Sequence, residues 1–302
     1  MARGPGRRVS PRLIASTLAA ALVAASCAPI PSATPVSPTA SVAPPTTTTT
    51  TASTTTSTSS GTVALPDIGV EVRVPEGEGP FPAVVLVHGG AWVAGAPSVM
   101  TDLARFLSDN GYLTVNTPYT LSVEIAGYPI AVDDVACAVR YAAAHPRGDG
   151  TVAILGHSAG AHLAALVALD DGVYGNGCPL VNRVVPDRLV GLAGPYDVAR
   201  LGPLLLPFFG VGPTEDPETW TAGNPMSQTG NNPGLSSLLM HGEDDAFVDL
   251  SFATRFADAL EDDGSEALVE VVEGARHNDM YHPAFVGDLI LTWLERQVPA
   301  AG

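Results

Sequence analysis

Leu155-Gly156-His157-Ser158-Ala159-Gly160 is the stretch on which the reading of this chain turns. It has the form Gly-x-Ser-x-Gly, with an apolar run from Thr151 to Leu155 ahead of it and a small-residue helical pattern from Ala161 to Leu169 behind. Ser158 is therefore expected on a strand-to-helix turn, where its hydroxyl stands clear of the sheet edge as a nucleophile needs to. The glycines have a steric reason: the turn is strained, and side chains beside it would strike the neighbouring strand and helix. In a chain with 31 glycines the same pentapeptide also fits an ordinary Gly-rich turn, so the reading needs support from an acid, a base and an oxyanion site elsewhere.

Strands and helices alternate on both sides of this turn. Val70 to Val74 alternates apolar and charged residues, as a half-exposed edge strand does, whereas Pro82 to Val87 is continuously apolar, as a strand covered on both faces must be. Ser98 to Ser108 reads as a helix with Ser98 as its N-cap and Gly111 beyond its end. Tyr112 to Asn116 is the next strand, and Pro129 opens a helix carrying Val132, Val135, Val139 and Tyr141. Beyond the serine come strands at Leu189 to Leu192, Leu235 to Met240 and Ala267 to Val272. Between them lie a helical or irregular segment at Leu201 to Phe209 and a helix at Leu250 to Leu260, and Pro283 to Gln297 closes the chain as an amphipathic helix. The pattern predicts an α/β fold with a mostly parallel, doubly wound sheet and helices on both faces.

In such a sheet the reactive groups sit in loops at the carboxyl ends of strands. A serine hydroxyl needs a histidine to take its proton, and the histidine needs a carboxylate to fix its tautomer. After the strand Leu235 to Met240 the chain reads His241-Gly242-Glu243-Asp244-Asp245-Ala246-Phe247-Val248, where Asp244, Asp245 and Asp249 all compete for the acid role. After the last strand, His277 in Gly274-Ala275-Arg276-His277 is the base candidate, while His282 abuts Pro283 and suits a capping or surface role. His157, His162, His145 and His241 have structural readings, with His241 bracing its loop. A tetrahedral intermediate also needs N–H donors, each worth roughly 3 kcal/mol. Ala159 supplies one candidate, and Gly90 and Ala91 of His88-Gly89-Gly90-Ala91 supply others, with Gly89 as the alternative. No Cys/His spacing suggests a metal site, and the chemistry calls for no cofactor.

Five motifs, His-Gly-Gly-x-Trp at 88–92, Gly-His-Ser-Ala-Gly at 156–160, Gly-Pro-Tyr-Asp at 194–197, His-Gly-x-x-Asp at 241–245 and Gly-x-x-His at 274–277, occur in this order. Together they resemble the carboxylesterase-type α/β-hydrolases, in the branch that holds kynurenine formamidase, hormone-sensitive-lipase-like esterases and the BD-FAE esterases. The resemblance spans roughly residues 63–298. It departs from the hormone-sensitive-lipase pattern at Ala91, where a third glycine would stand, and at Thr120, where an Arg is common. It implies the α/β-hydrolase fold and selects Asp245 as the acid. The implied activity is hydrolysis of a small-molecule acyl ester through Ser158, His277, Asp245 and an acyl-enzyme. Trp92, Tyr119, Tyr196, Leu204 to Phe209 and Trp220 are either the walls of an acyl pocket or core packing. An amidase or formamidase would use the same residues. A prolyl-oligopeptidase-type peptidase would need a propeller domain for which there is no room, and a non-catalytic surface-binding protein would have no need of the ordered set.

The first sixty residues differ in kind. Arg3, Arg7, Arg8 and Arg12 precede an apolar run from Leu13 to Ala25, too short to span a membrane comfortably. Val23-Ala24-Ala25-Ser26-Cys27 resembles a bacterial lipobox, which makes residues 1–27 a signal peptide of lipoprotein type with Cys27 as the lipidated residue. A plain signal peptide cleaved nearby is the alternative. Residues 28–62, nearly all Pro, Thr, Ser and Ala, read as a disordered tether, and residues 63–302 as one catalytic domain. That domain carries 31 acids against 10 arginines and no lysine, a charge that repels nucleic acid. Membrane contact is expected through the N-terminal lipid alone, in an extracytoplasmic location. There Cys137 and Cys178 would be free to pair, with two buried thiols as the alternative.

Overall fold

The computed structural model describes residues 65–297, so the signal peptide, Cys27 and the tether lie outside the described residues. The described sheet has seven strands: β1 (Glu71–Arg73), β2 (Phe81–Val87), β3 (Leu113–Thr117), β4 (Gly148–His157), β5 (Arg188–Leu192), β6 (Ser236–Gly242) and β7 (Glu266–Val272). Their spatial order is β1-β3-β2-β4-β5-β6-β7, and β1 alone, on the edge, runs antiparallel to its neighbour. Around it lie α1 (Thr101–Asp109), α2 (Ile130–Ala144), α3 (Ala159–Ala168), α4 (Leu206–Phe209), α5 (Pro217–Ala222), α6 (Ser251–Asp262) and α7 (Pro283–Gln297).

The all-apolar sequence of β2 explains the layering. Val84 and Leu86 join a core with Leu103 and Leu107 of α1 and Ile290 of α7. Val85 and Val87, pointing the opposite way, join Val132 and Val135 of α2, Leu163 of α3 and Phe256 of α6. A strand without a polar face is thus covered from both sides, the requirement its sequence imposes. The chain passes from β2 to β3 on one side and then returns to β4 on the other. Strand order reverses there, so a crevice opens at the carboxyl ends of β2 and β4. His88-Gly89-Gly90 leaves one of these strands and Ser158 leaves the other.

Two local expectations need correction. Ser98 is not an N-cap: it lies inside a 3-10 turn, Pro97–Met100, and α1 begins only at Thr101 without a side-chain cap. Pro97, lacking an N–H and fixed in φ, starts that tight turn instead. Helix α3 begins at Ala159, immediately after the serine, rather than at Ala161. Beyond β5 the chain makes 3-10 turns before the single turn of α4, and α5 follows with Asp216 as its N-cap, accepting the Thr219 N–H at 3.0 Å.

The loop after α3 is fastened to α2 at several points. Arg140 donates to the carbonyls of Tyr174, Gly175 and Leu180, and the Asp133 carboxylate accepts the N–H groups of Gly175 and Asn176. Cys137 and Cys178 are bonded there, with Cα atoms 5.4 Å apart and a sequence separation of 41. Closing a loop of that length stabilises a fold by roughly 4 kcal/mol through the unfolded chain. Reduction, or the Cys137→Ser/Cys178→Ser pair, should therefore lower the urea midpoint markedly, and an identical midpoint with and without reductant would show that the bond does not form.

Candidate active site

Ser158 takes φ 54° and ψ −121°, a left-handed conformation that costs a non-glycine residue about 1–3 kcal/mol. Its surroundings hold it there. The Ser158 N–H donates to Leu192 O at 2.8 Å, and the Ala193 N–H donates to Met240 O at 2.8 Å, so the ends of β4, β5 and β6 are laced together. A Cβ on Gly156 would overlap the backbone of Gly160 and Ala161, and one on Gly160 would overlap the carbonyls of Val87 and His88. Ala159 is the first residue of α3, so its N–H has no acceptor within the helix.

His277 reaches the serine from the turn after β7. Its Nε2 lies 3.0 Å from Ser158 Oγ and its Nδ1 2.8 Å from Asp245 Oδ2. With the carboxylate able only to accept, Nδ1–H donates to Asp245 and Nε2 is left to accept the serine proton. The side chains of Asp245 and His277 are 1% and 8% exposed, which keeps water from competing for these bonds. Arg276 and Asp279 clamp the start of the histidine turn through reciprocal side-chain and backbone bonds.

Asp245 is itself held on both oxygens. Oδ1 accepts the N–H groups of Phe247 at 2.8 Å and Val248 at 3.0 Å, and Oδ2 lies 3.4 Å from His241 Nε2, which donates to Val248 O. Burial works to raise the Asp245 carboxyl, but the bonds from His277, Val248 and Phe247 together outweigh it and hold it below the ordinary carboxylate value. It therefore stays ionised at neutral pH, and its bonds are lost only as pH falls through that lowered value. Asp244, Asp249 and His282 are exposed, and Asp249 Oδ1 accepts the Ser251 N–H at the start of α6. Of the alternatives the sequence left open, Asp245 and His277 are the two brought to Ser158.

The loop after β2 lies against the serine: a Cβ on Gly89 would meet Ser158 Cβ at 3.1 Å. Beyond it, Gly90 has φ 130°, and Ala91 and Trp92 have φ 52° and 62°. Two consecutive left-handed residues without glycine's freedom cost about 1–2 kcal/mol each. The turn closes on Gly90 O, which accepts the N–H groups of Val93 and Ala94 at 3.1 and 2.9 Å. Among the described residues, the Gly90 and Ala91 N–H groups have no protein acceptor.

Other histidines and aromatics buttress this arrangement. His157 Nε2–H donates to the His277 carbonyl at 2.9 Å, and burial, aided by the His277 imidazole, lowers His157 to about 3, so it remains neutral. Tyr119 donates to His88 O at 3.2 Å and stacks on the His88 ring. Tyr196 is not a pocket wall: it is fully buried and stacked on Phe256 at 4.5 Å, as the adjacent Gly191 and Gly194 allow. Trp220 donates to Val211 O and packs on Phe209, and Phe208 is buried, whereas Leu204 and Leu206 face solvent. Phe247, which the sequence reading passed over, is 51% exposed with its ring 5.5 Å from that of His277. Its place two residues after the acid was the available signal.

Several known proteins are similar to this chain. "Probable isoprenylcysteine alpha-carbonyl methylesterase ICME" of Oryza sativa subsp. japonica is 25% identical over 229 residues, covering 67% of this chain and 53% of its own length. "Esterase LipC" of Mycobacterium tuberculosis is 30% identical over 199 residues, covering 60% of this chain and 48% of its own. The chain thus spans about half the length of the curated relatives it matches. Among solved structures, a truncated carbohydrate esterase from gut microbiota superposes with TM-score 0.67 at 20% identity, covering 75% of this chain and 90% of that one. The Thermogutta terrifontis esterase Est2 does so with TM-score 0.61 at 18% identity, covering 77% and 91%. These likenesses establish the α/β-hydrolase fold. The BD-FAE family profile matches residues 71–260, well over half of the 302, and the chain belongs to that family.

Proposed function

We propose that the protein is a serine hydrolase of carboxylic esters, with Ser158 as nucleophile, His277 as proton carrier and Asp245 as its orienting acid. The observation that carries this reading is the unbroken hydrogen-bonded line Ser158 Oγ–His277–Asp245, buried at its acid end. Ser158 Oγ attacks the ester carbonyl carbon while Nε2 of His277 takes the hydroxyl proton. The carbonyl oxygen, now an anion, is met by the N–H groups of Ala159, Gly90 and Ala91, none of which has an acceptor among the described residues. His277 returns the proton to the departing alkoxide, and an acyl group remains on Ser158. Water then repeats the sequence and releases the acid. The names of these two relatives, a methylesterase and an esterase, support an ester rather than an amide as substrate.

The basic and apolar sequence before Cys27, the Pro/Thr/Ser-rich tether and the bonded Cys137–Cys178 pair support an extracytoplasmic domain held to the membrane by a lipid on Cys27. A bonded cysteine pair fits an oxidising compartment, and the tether supplies reach.

Two outcomes are expected. Ser158→Ala should lower kcat on p-nitrophenyl esters by about a millionfold, and Asp245→Asn, which stabilises the wrong imidazole tautomer, by roughly ten thousandfold with KM little changed. Either variant retaining wild-type kcat would contradict the assigned roles. Metabolic labelling with a radioactive fatty acid should mark the full chain and not Cys27→Ser. Label on both, or on neither, would refute the anchor.

A further inference from the structure

Trp92 and His162 stand 70 residues apart in sequence, and the indole N–H of Trp92 donates to His162 Nδ1 at 3.2 Å. His162 in turn donates from Nε2 to the Gly223 carbonyl at 2.9 Å. Because a carbonyl only accepts, the proton of this imidazole sits on Nε2, leaving Nδ1 bare for the indole. The ring is fully buried, edge-on to Trp92 and to Phe208, and burial lowers it to about 4 despite the Gly223 bond, so this tautomer persists through the neutral range. Gly223 is fixed too, its N–H donating to Thr219 O at 3.0 Å.

Resting on the ester-hydrolase reading, we infer that His162 is a positioning residue for the oxyanion hole. By accepting the Trp92 indole N–H it holds the left-handed Ala91-Trp92 turn, and with it the N–H groups of Gly90 and Ala91, in register with Ser158. The turn needs an outside hold. Ala91 and Trp92 both occupy a conformation that L-residues leave when free to do so, and relaxation would rotate the N–H groups that precede it. Two bonds from elsewhere oppose that: the indole bond to His162 and a backbone bond from the Ser122 N–H to Trp92 O at 2.7 Å. His162 lies on α3, the helix whose first residue, Ala159, offers the other oxyanion donor. One rigid helix thereby sets both sides of the hole.

Trp92→Phe keeps the ring and removes the donor, and His162→Leu removes the acceptor. His162→Gln offers an amide oxygen to the indole and an amide N–H to Gly223. The readouts are kcat and KM on p-nitrophenyl esters, together with the affinity of an alkyl trifluoromethyl ketone, whose serine adduct carries the oxyanion. Trp92→Phe and His162→Leu should each lower kcat by about a hundredfold with KM little changed, the scale of a displacement near 1 Å. Ketone affinity should fall in parallel, and His162→Gln should recover most of both. A Trp92→Phe enzyme with wild-type kcat and ketone affinity, or a loss confined to KM, overturns this inference alone. A wild-type protein inert toward esters and ketone overturns the hydrolase reading and this inference with it.

Discussion

Close approach between the ends of β2 and β4 is the constraint from which the site follows. Gly160 lies so near the carbonyls of Val87 and His88 that any side chain there would part the two strand ends, and Gly156 is equally close to the start of α3. With both positions bare, Ser158 can be forced into its left-handed conformation on a turn one residue long, and α3 can begin at once. The strain is local, whereas the burial that opposes it is spread over two cores, one on each face of the sheet. A conformation costing a few kcal/mol is affordable only in such a setting.

Buried histidines also serve as fixed hydrogen-bonding parts. His157 ties the serine turn to the backbone of His277, His162 ties the loop after β2 to α3 and Gly223, and His241 closes the acid loop on Val248. Each joins segments far apart in sequence or closes a tight loop, and the burial that makes the charged forms of His157 and His162 costly keeps them neutral. His277 differs in having a carboxylate on one nitrogen and a hydroxyl on the other, the arrangement that lets a proton arrive and leave.

Much of this was legible from sequence because its causes are local. The apolar run of β2, the Gly-x-Ser-x-Gly turn and the strand-end position of His277 each follow from residues within about one element. Asp245 was singled out by a resemblance; of the competing carboxylates it is the one that meets His277 Nδ1, held by N–H groups two and three residues ahead. What escaped notice depends on distant partners. Nothing near Trp92 announces His162, and nothing near Tyr196 announces Phe256, so packing and pocket wall were indistinguishable there. Ser98 failed as a cap because Pro97 had already begun a tighter turn.

That Ser158 carries the acyl group is the claim on which all else rests, and it is tested most directly by locating the covalent adduct. The protein is treated with a fluorophosphonate, its intact mass is measured, and its proteolytic peptides are sequenced by mass spectrometry. A single adduct on Ser158, absent from Ser158→Ala, is the predicted result. No adduct, or one on another residue that persists in Ser158→Ala, would contradict it.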